Sequence, residues 1–189
     1  AMLGHIHSIQ SPLQGNMLRP KHKPLNPAKQ LNQLWRHFAG QLRDDNRLST
    51  LVASAIKHLA AQQALFDNLS AYSLVHGDLH PQNLIQTPKH ILQTVDWERA
   101  HWGDPAFDLV LIEWQEHKPK LEIDVQLALI DDYQTEYPDP QLPIRVRAWT
   151  LYRLLSDLLF LLHHKRVSLQ DDYFYSVVHA VRTYALFGH

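Results

Sequence analysis

The sequence contains no cysteine in 189 residues, which excludes a disulfide framework, a thiol nucleophile and a thiolate zinc site. Glycine is almost as scarce: the six are Gly4, Gly15, Gly40, Gly77, Gly103 and Gly188, and no two lie close together. A Walker-type phosphate loop and a dinucleotide fingerprint both need clustered glycines to bring backbone up to phosphate, so neither is present. Long apolar runs are missing too. The most apolar stretch, Leu151 to Leu162, is too short to span a bilayer and carries Arg153 and Asp157. The N-terminus lacks the charged start and apolar run of a secretory signal, so a soluble cytoplasmic protein is expected. Methionine occurs only twice, and the opening Ala1-Met2 reads as an expression scar ahead of a start codon.

What is present is the composition of a soluble folded chain, 45% hydrophobic and 20% charged, and a net charge of -1 leaves no global basic field. The charge is unevenly spread. Residues 1–43 hold Arg19, Lys21, Lys23, Lys29, Arg36 and Arg43 and no acid. Pro12, Pro20, Pro24 and Pro27 interrupt this head, so residues 8–27 read as an irregular basic loop with no aromatic residues to stack bases. Neither nucleic acid nor a membrane is an expected partner.

Hydrophobic spacing predicts helices through most of the chain. Asn26-Pro27 reads as a cap and first helical position, followed by Leu31, Leu34, Trp35 and Phe38 up to Gly40. Asn46 is placed to cap a second helix running to about Asn68, with Leu48, Leu51, Val52, Ala55, Leu59 and Ala60 on one face. Helices are also expected from Asp104-Pro105, over Asp124 to Tyr137, over Pro143 to His164, and from about Gln170 through Phe174, Val177, Val178, Val181 and Tyr184. Short apolar runs at 73–75 and 83–86, a turn at Thr87-Pro88-Lys89 and a strand over Ile91 to Val95 form a small β segment between them. The fold class is mainly α with a small β element.

Every chemically suggestive residue sits in or beside that β segment. Residues 76–83 read His76-Gly77-Asp78-Leu79-His80-Pro81-Gln82-Asn83, and thirteen residues later Asp96 ends an apolar strand in Val95-Asp96-Trp97-Glu98. Carboxylate and amide oxygens are hard ligands suited to Mg²⁺, which completes its shell with water and phosphate oxygens. A further carboxylate near such an ion can orient a hydroxyl and accept its proton as a bond to phosphorus forms. Singly, each Asp or Asn could equally be a turn former or a helix cap, and Asp104 before Pro105 has the place of a cap.

The string resembles the catalytic loop of the protein-kinase-like superfamily, His-x-Asp-Leu-x-x-x-Asn. Gly77 and His80 move the likeness toward the aminoglycoside phosphotransferase and choline kinase-like family. Asp96-Trp97-Glu98 is similar to that superfamily's metal-binding motif, and Gly103-Asp104-Pro105-Ala106-Phe107-Asp108-Leu109 to the stretch that follows it. Leu3-Gly4-His5-Ile6-His7-Ser8 resembles a helix end early in the family's C-terminal lobe. The resemblance implies one C-terminal kinase-like lobe over 3–187, with a catalytic and metal-binding segment at 72–98 and a helical substrate-side subdomain at 104–187. It implies Asp78 as the base for the acceptor hydroxyl, and Asn83 and Asp96 as Mg²⁺ ligands beside the nucleotide phosphates. His80 stands where protein kinases place a lysine near the transferred phosphate, His76 anchors the loop, and Asp108 braces it. ATP or another nucleoside triphosphate is the implied donor, and a small alcohol (an aminoglycoside, choline, a sugar or homoserine) the acceptor.

Two alternatives stay open. A truncated kinase-like module could bind without turnover, or His76 and His80 could start a His-x-Asp-x-His metal site for a hydrolase, which needs a third histidine ligand. Trp97, Trp102, Trp114 and Trp149 could form an aromatic wall for a quaternary ammonium or simply pack in the core. Glu113, Glu116 and Asp157 could meet a cationic substrate or lie on a solvated helix face. His163-His164 beside Lys165-Arg166 complements a helix C-terminus. No glycine-rich turn accompanies the motifs, so the N-terminal lobe that would roof the phosphates is expected to be supplied separately, or its docking surface to be covered by self-association. With only the base and metal side of the site, the chain should bind Mg·ATP weakly if at all. Calorimetry is the check, and tight binding that depends on Asp96 would contradict the expectation.

Overall fold

A computed structural model describes residues 2–21, 25–42, 45–88, 92–115, 118–121, 123–164, 166, 168 and 172–186. Along the chain the elements are α1 (Met2–His7), β1 (Gln10–Ser11), β2 (Gly15–Asn16), α2 (Pro27–Leu42), α3 (Asn46–Ala61), α4 (Gln63–Asp67) and β3 (Tyr72–Val75). The hairpin β4 (Leu84–Gln86) and β5 (Leu92–Thr94) follows, then β6 (His101–Gly103), a second hairpin β7 (Ile112–Gln115) and β8 (Lys118–Leu121), and helices α5 (Ile123–Glu136), α6 (Leu142–His163) and α7 (Asp172–Ala180). Among the described residues no helix is long and apolar enough to cross a membrane. The chain divides into two compact units.

The first unit comprises Ala1–Leu25, Leu65–Leu111 and Ile123–Val146. Its four-stranded sheet runs β1-β3-β6-β2, with β3 antiparallel to β1 and β6, and β2 antiparallel to β6. Leu3, Phe66, Val75, Leu79, Leu109, Ile130 and Tyr133 are buried in it. A methyl group at Gly4 would run into the Tyr137 ring, so glycine is what lets α1 approach α5. The second unit comprises Asn26–Ala64, Ile112–Glu122 and Arg147–His189. Leu31 and Phe38 of α2, Leu48, Val52 and Leu59 of α3, Leu154, Leu155 and Leu158 of α6, and Phe174 and Val177 of α7 form its core. The face read along the sequence in α3 is the face that is buried: Leu48, Leu51, Val52, Ala55 and Leu59.

Several expectations need correction. Residues 8–27 are not wholly irregular, because β1 and β2 join the sheet and Gln14 bridges Lys21 beyond them. Two-residue strands leave almost no periodic signal, and their register is set by the partners β3 and β6. Asp104-Pro105 opens only a single 3-10 turn, Pro105–Phe107, and the chain then forms the β7–β8 hairpin inside the stretch expected to be helical. The α3 cap is Asp45, not Asn46: Asp45 is extended (φ -98°, ψ 106°) and its side chain accepts from the Arg47 and Leu48 amides. Arg47 folds back onto the same carboxylate, Nη2 to Oδ2 2.8 Å, which favours the charged residue over its neighbour. The second helix also breaks at Ala61, α4 covering Gln63–Asp67, and α7 passes into a π-helical turn over Val181–Leu186.

Asp45→Ala should therefore cost about 1 kcal/mol in urea denaturation, and Asn46→Ala much less. The Arg47 hydrogen bond outweighs burial and holds the Asp45 carboxyl below its ordinary value near 3.8. A carboxylate lowered in the folded state stabilises above that value and loses the effect as pH falls through it, so the difference between the two variants should shrink below pH 4.

Candidate functional site

The six residues singled out by the motifs all belong to the first unit, and the hydrogen bonds between them run from side chain to backbone or from backbone to backbone. Strand β3 ends at Val75 and delivers His76 and Gly77 to a turn in which Gly77 is left-handed, φ +83°. A Cβ there would come within 2.5 Å of the Arg99 carbonyl oxygen, so this position needs glycine both for its dihedral and for space. Asp78 follows, its side chain one-quarter exposed. Pro81–Asn83 form a 3-10 turn after an extended His80 (φ -153°), and the Asn83 amide donates to the His80 carbonyl at 2.9 Å. His80 is half-buried, and among the described residues its ring makes no hydrogen bond.

Asn83 and Asp96 are brought together by the β4–β5 hairpin. Its register pairs Leu84 with Thr94, and the Val95 amide extends the ladder by donating to the Asn83 carbonyl at 3.0 Å. Asn83 is buried, and its Nδ2 donates to the Asp78 carbonyl at 2.9 Å, which leaves Oδ1 as the amide's acceptor. Asp96 is exposed and is the one non-glycine with positive φ among the described residues, at φ 63° and ψ 64°. A left-handed aspartate is a place where strain is stored, and such outliers cluster at functional sites.

Asp108 holds the loop. Its Oδ2 accepts the His76 amide at 2.7 Å and its Oδ1 the Gly77 amide at 2.9 Å, and both residues are buried. Oδ2 also lies 3.2 Å from His7 Nε2 on α1, and His7 Nδ1 lies 3.1 Å from the Tyr133 hydroxyl on α5. Burial first, then Tyr137 and Asp104, holds the Tyr133 phenol protonated far above its ordinary range. A carboxylate only accepts, so His7 presents Nε2–H to Asp108, and its Nδ1 shares the other hydrogen bond with the Tyr133 hydroxyl. His76 ties the loop to the strand before Asp96: its Nε2–H donates to the Val95 carbonyl at 2.8 Å, and the Trp97 ring lies 4.7 Å from its own.

The turn carrying Asp108 is itself anchored. Asp104, fully buried, caps Ala106 at 3.0 Å and takes Arg145 Nε at 2.9 Å, while Arg145 Nη2 reaches Asp139 at 2.6 Å. Burial opposes the charge on Arg145, but Asp104 and Asp139 outweigh it and hold the guanidinium above its ordinary value. Burial likewise raises the Asp139 carboxyl, and the Arg145 hydrogen bond and charge reverse this to a net lowering. Asp104 is thus a cap, as its place before Pro105 predicts, and also half of a buried ion pair.

The motifs did not point to Arg145, Tyr133, His7 or Arg99, whose guanidinium lies 3.8 Å from Asp78. Tyr133 and Arg145 reach the site from distant parts of the chain, whereas His7 lies in the Leu3–Ser8 stretch and Arg99 directly after Asp96-Trp97-Glu98, where the motifs give neither a role of its own. Among the described residues no three His, Asp or Glu side chains are grouped to hold a metal. His76 donates Nε2–H to the Val95 carbonyl and is fully buried, and among the described residues its Nδ1 has no hydrogen-bond partner. Trp149 is buried in the second unit against Tyr152, whereas Trp97 and Trp102 belong to the first. The Trp114, Glu113 and Glu116 side chains lie outside the described residues. An open groove of about 510 Å³ is lined by Met2, His5, Ile6, Leu92, Gln93, Thr94 and Trp97, and includes none of the six motif residues.

A helical fold with a pinned His-Gly-Asp loop and an aspartate-bearing hairpin is the fold of kinase-like phosphotransferases. Two solved structures of aminoglycoside phosphotransferase APH(4)-Ia match it. The apo form of a thermostable mutant superposes with a TM-score of 0.56 at 20% identity, over 80% of this chain and 49% of that one. The second has a TM-score of 0.53 at 18% identity, with the same coverage. The chain spans about half the length of these structures. No curated protein matches the sequence. The model of the phosphotransferase enzyme family matches residues 1–158, and the chain belongs to that family.

Asp108→Asn should turn one acceptor oxygen into a donor facing backbone N–H groups, at about 2 kcal/mol or more. Gly77→Ala should destabilise similarly through its dihedral and the Arg99 carbonyl. Urea denaturation followed by tryptophan fluorescence measures both, and wild-type midpoints would contradict the bracing geometry.

Proposed function

We propose that this chain carries the base and metal side of a nucleotide-dependent small-molecule kinase, with Asp78 acting on the acceptor hydroxyl. The observation that carries the reading is the joint placement of Asn83 and left-handed Asp96 at one end of the β4–β5 hairpin, tied to the Asp78 loop by the Asn83 side chain.

Asn83 Oδ1 and the Asp96 carboxylate are hard oxygen donors, a set that fits Mg²⁺, which needs few protein ligands when phosphates and water complete its shell. Bound there, the ion would neutralise charge on the phosphates of ATP or another nucleoside triphosphate. The protein's own work is positional. Asp78 accepts the hydrogen bond of the acceptor hydroxyl and takes its proton as the oxygen attacks phosphorus. Asp108 keeps the Asp78 backbone from drifting, and His76 keeps Asp96 in step with the loop through Val95. His80, next to the loop's 3-10 turn, is assigned a hydrogen bond to the transferred phosphate. The acceptor is a small alcohol. The remaining phosphate contacts come from an N-terminal lobe, or that docking surface is covered by a second copy.

Manganese·ATP is a sensitive probe even for weak binding, because the ion broadens nearby amide signals. Broadening should centre on residues 83 and 96 and vanish in Asp96→Asn. Asp78→Asn should retain it while phosphoryl transfer, measured with the other lobe supplied, falls about 10²–10⁴-fold. Broadening centred elsewhere would sink the reading, and binding without any transfer would favour a non-catalytic module.

A further inference from the structure

We propose that Arg99 selects the acceptor, and that the acceptor it selects is a small alcohol bearing a carboxylate or phosphate close to the reacting hydroxyl. This rests on the phosphotransfer reading, since it takes Asp78 as the group that meets the hydroxyl.

The main chain puts Arg99 beside the base whatever its side chain does. Arg99 ends the 3-10 turn that starts one residue after Asp96. Its carbonyl oxygen occupies the space beside Gly77 that a Cβ would need, and accepts His101 Nδ1–H at 2.9 Å. Gly77 immediately precedes Asp78, so the two residues are held together through backbone on both sides.

The guanidinium is poised but not spent. Nη1 lies 3.8 Å from Asp78 Oδ1, close enough for charge attraction and too long for a hydrogen bond. Among the described residues the Arg99 side chain makes no hydrogen bond, and it is 63% exposed. An ion pair this exposed adds little to stability and leaves the guanidinium accessible to solvent. Its donors form a planar fork that matches a carboxylate or phosphate in two parallel hydrogen bonds. A substrate hydroxyl on Asp78 puts any anionic group one or two bonds away within reach of that fork. The same cation repels an acceptor whose nearest charge is an amine or quaternary ammonium. The geometry thus favours hydroxy acids and phosphorylated alcohols over the aminated acceptors among the sequence-based expectations.

The test uses D-glycerate and choline as probes on the full ¹⁵N-labelled chain, reading the Arg99 Nε–Hε signal and the Gly77 and Asp78 amides. Glycerate should shift all three saturably and choline should not. Arg99→Gln should weaken glycerate binding roughly ten- to hundred-fold, the range for a lost hydrogen bond to a charged group. Arg99→Lys should recover part of it, because a point charge replaces the fork. Unchanged amide signals elsewhere verify that the variants fold. The inference is overturned if glycerate leaves Arg99 unmoved, if Arg99→Gln binds it as well as wild type, or if choline shifts Asp78 as strongly. Asp96→Asn should leave the glycerate response intact. Manganese·ATP broadening at Asp96 without a glycerate response overturns the Arg99 role alone, whereas a glycerate response with no such broadening overturns the nucleotide reading alone.

Discussion

The buried carboxylate of Asp108 receives three donors at once: the amides of His76 and Gly77 and the Nε2–H of His7. A buried charge is tolerated only when its hydrogen-bonding capacity is filled, and here filling it is the same act as fixing the loop that carries Asp78. Two backbone amides that would otherwise be orphaned in the turn find their acceptor in a residue 32 and 31 positions later. Around this point α1, β3, α5 and the turn at Pro105–Phe107 lock together. The His7–Tyr133 contact extends the hold to α5, and Asp104 with Arg145 extends it to the first turn of α6. The first unit is organised around one anion as much as around its apolar core.

Around that rigid point, the residues to which the proposed reading gives a chemical role are the more exposed ones. Asp78 and Asp96 are partly or fully exposed, while His76, Asp104 and Asp108, which position them, are buried. This division of labour suits phosphoryl transfer, in which the protein contributes chiefly position and charge. The left-handed backbone at Asp96 fits the same pattern, because a strained carboxylate survives only where surrounding structure over-determines it. His76 to Val95 and Val95 to Asn83 are the bonds that do so.

Local signals are legible where a single period or a single spacing carries them. The buried face of α3 and the spans of α5 and α6 follow from apolar spacing, since a helix longer than three turns repeats its pattern enough to be recognised. Asn26 caps α2 as its place before Pro27 suggested, accepting the Lys29 amide at 2.7 Å. Elements whose hydrogen-bond partners are remote leave no such signal. β1, β2 and β6 have two or three residues each, too few for alternation, and exist because other strands supply their hydrogen bonds. The turn after Asp104 stays a single 3-10 turn although the Asp108 backbone is itself right-handed (φ -77°, ψ -11°), and it is the Asp108 side chain that reaches back to His76 and Gly77. The Asp45 cap wins over Asn46 through Arg47, a choice made by one charged side chain.

The sequence by itself determined the candidate site: the residue types at 76–83 and 96, their spacing, the family they belong to, and the helical character of the chain, all of which are local in sequence. Only the tertiary structure decided which groups hold that site in place. His7, Tyr133 and Arg145 come from three separate helices, and Arg99 reaches Asp78 because Gly77 admits its carbonyl. The reason is physical. A motif is a run of side chains whose spacing the backbone preserves, whereas the satisfaction of a buried charge depends on whatever donors folding brings to it, from any distance along the chain.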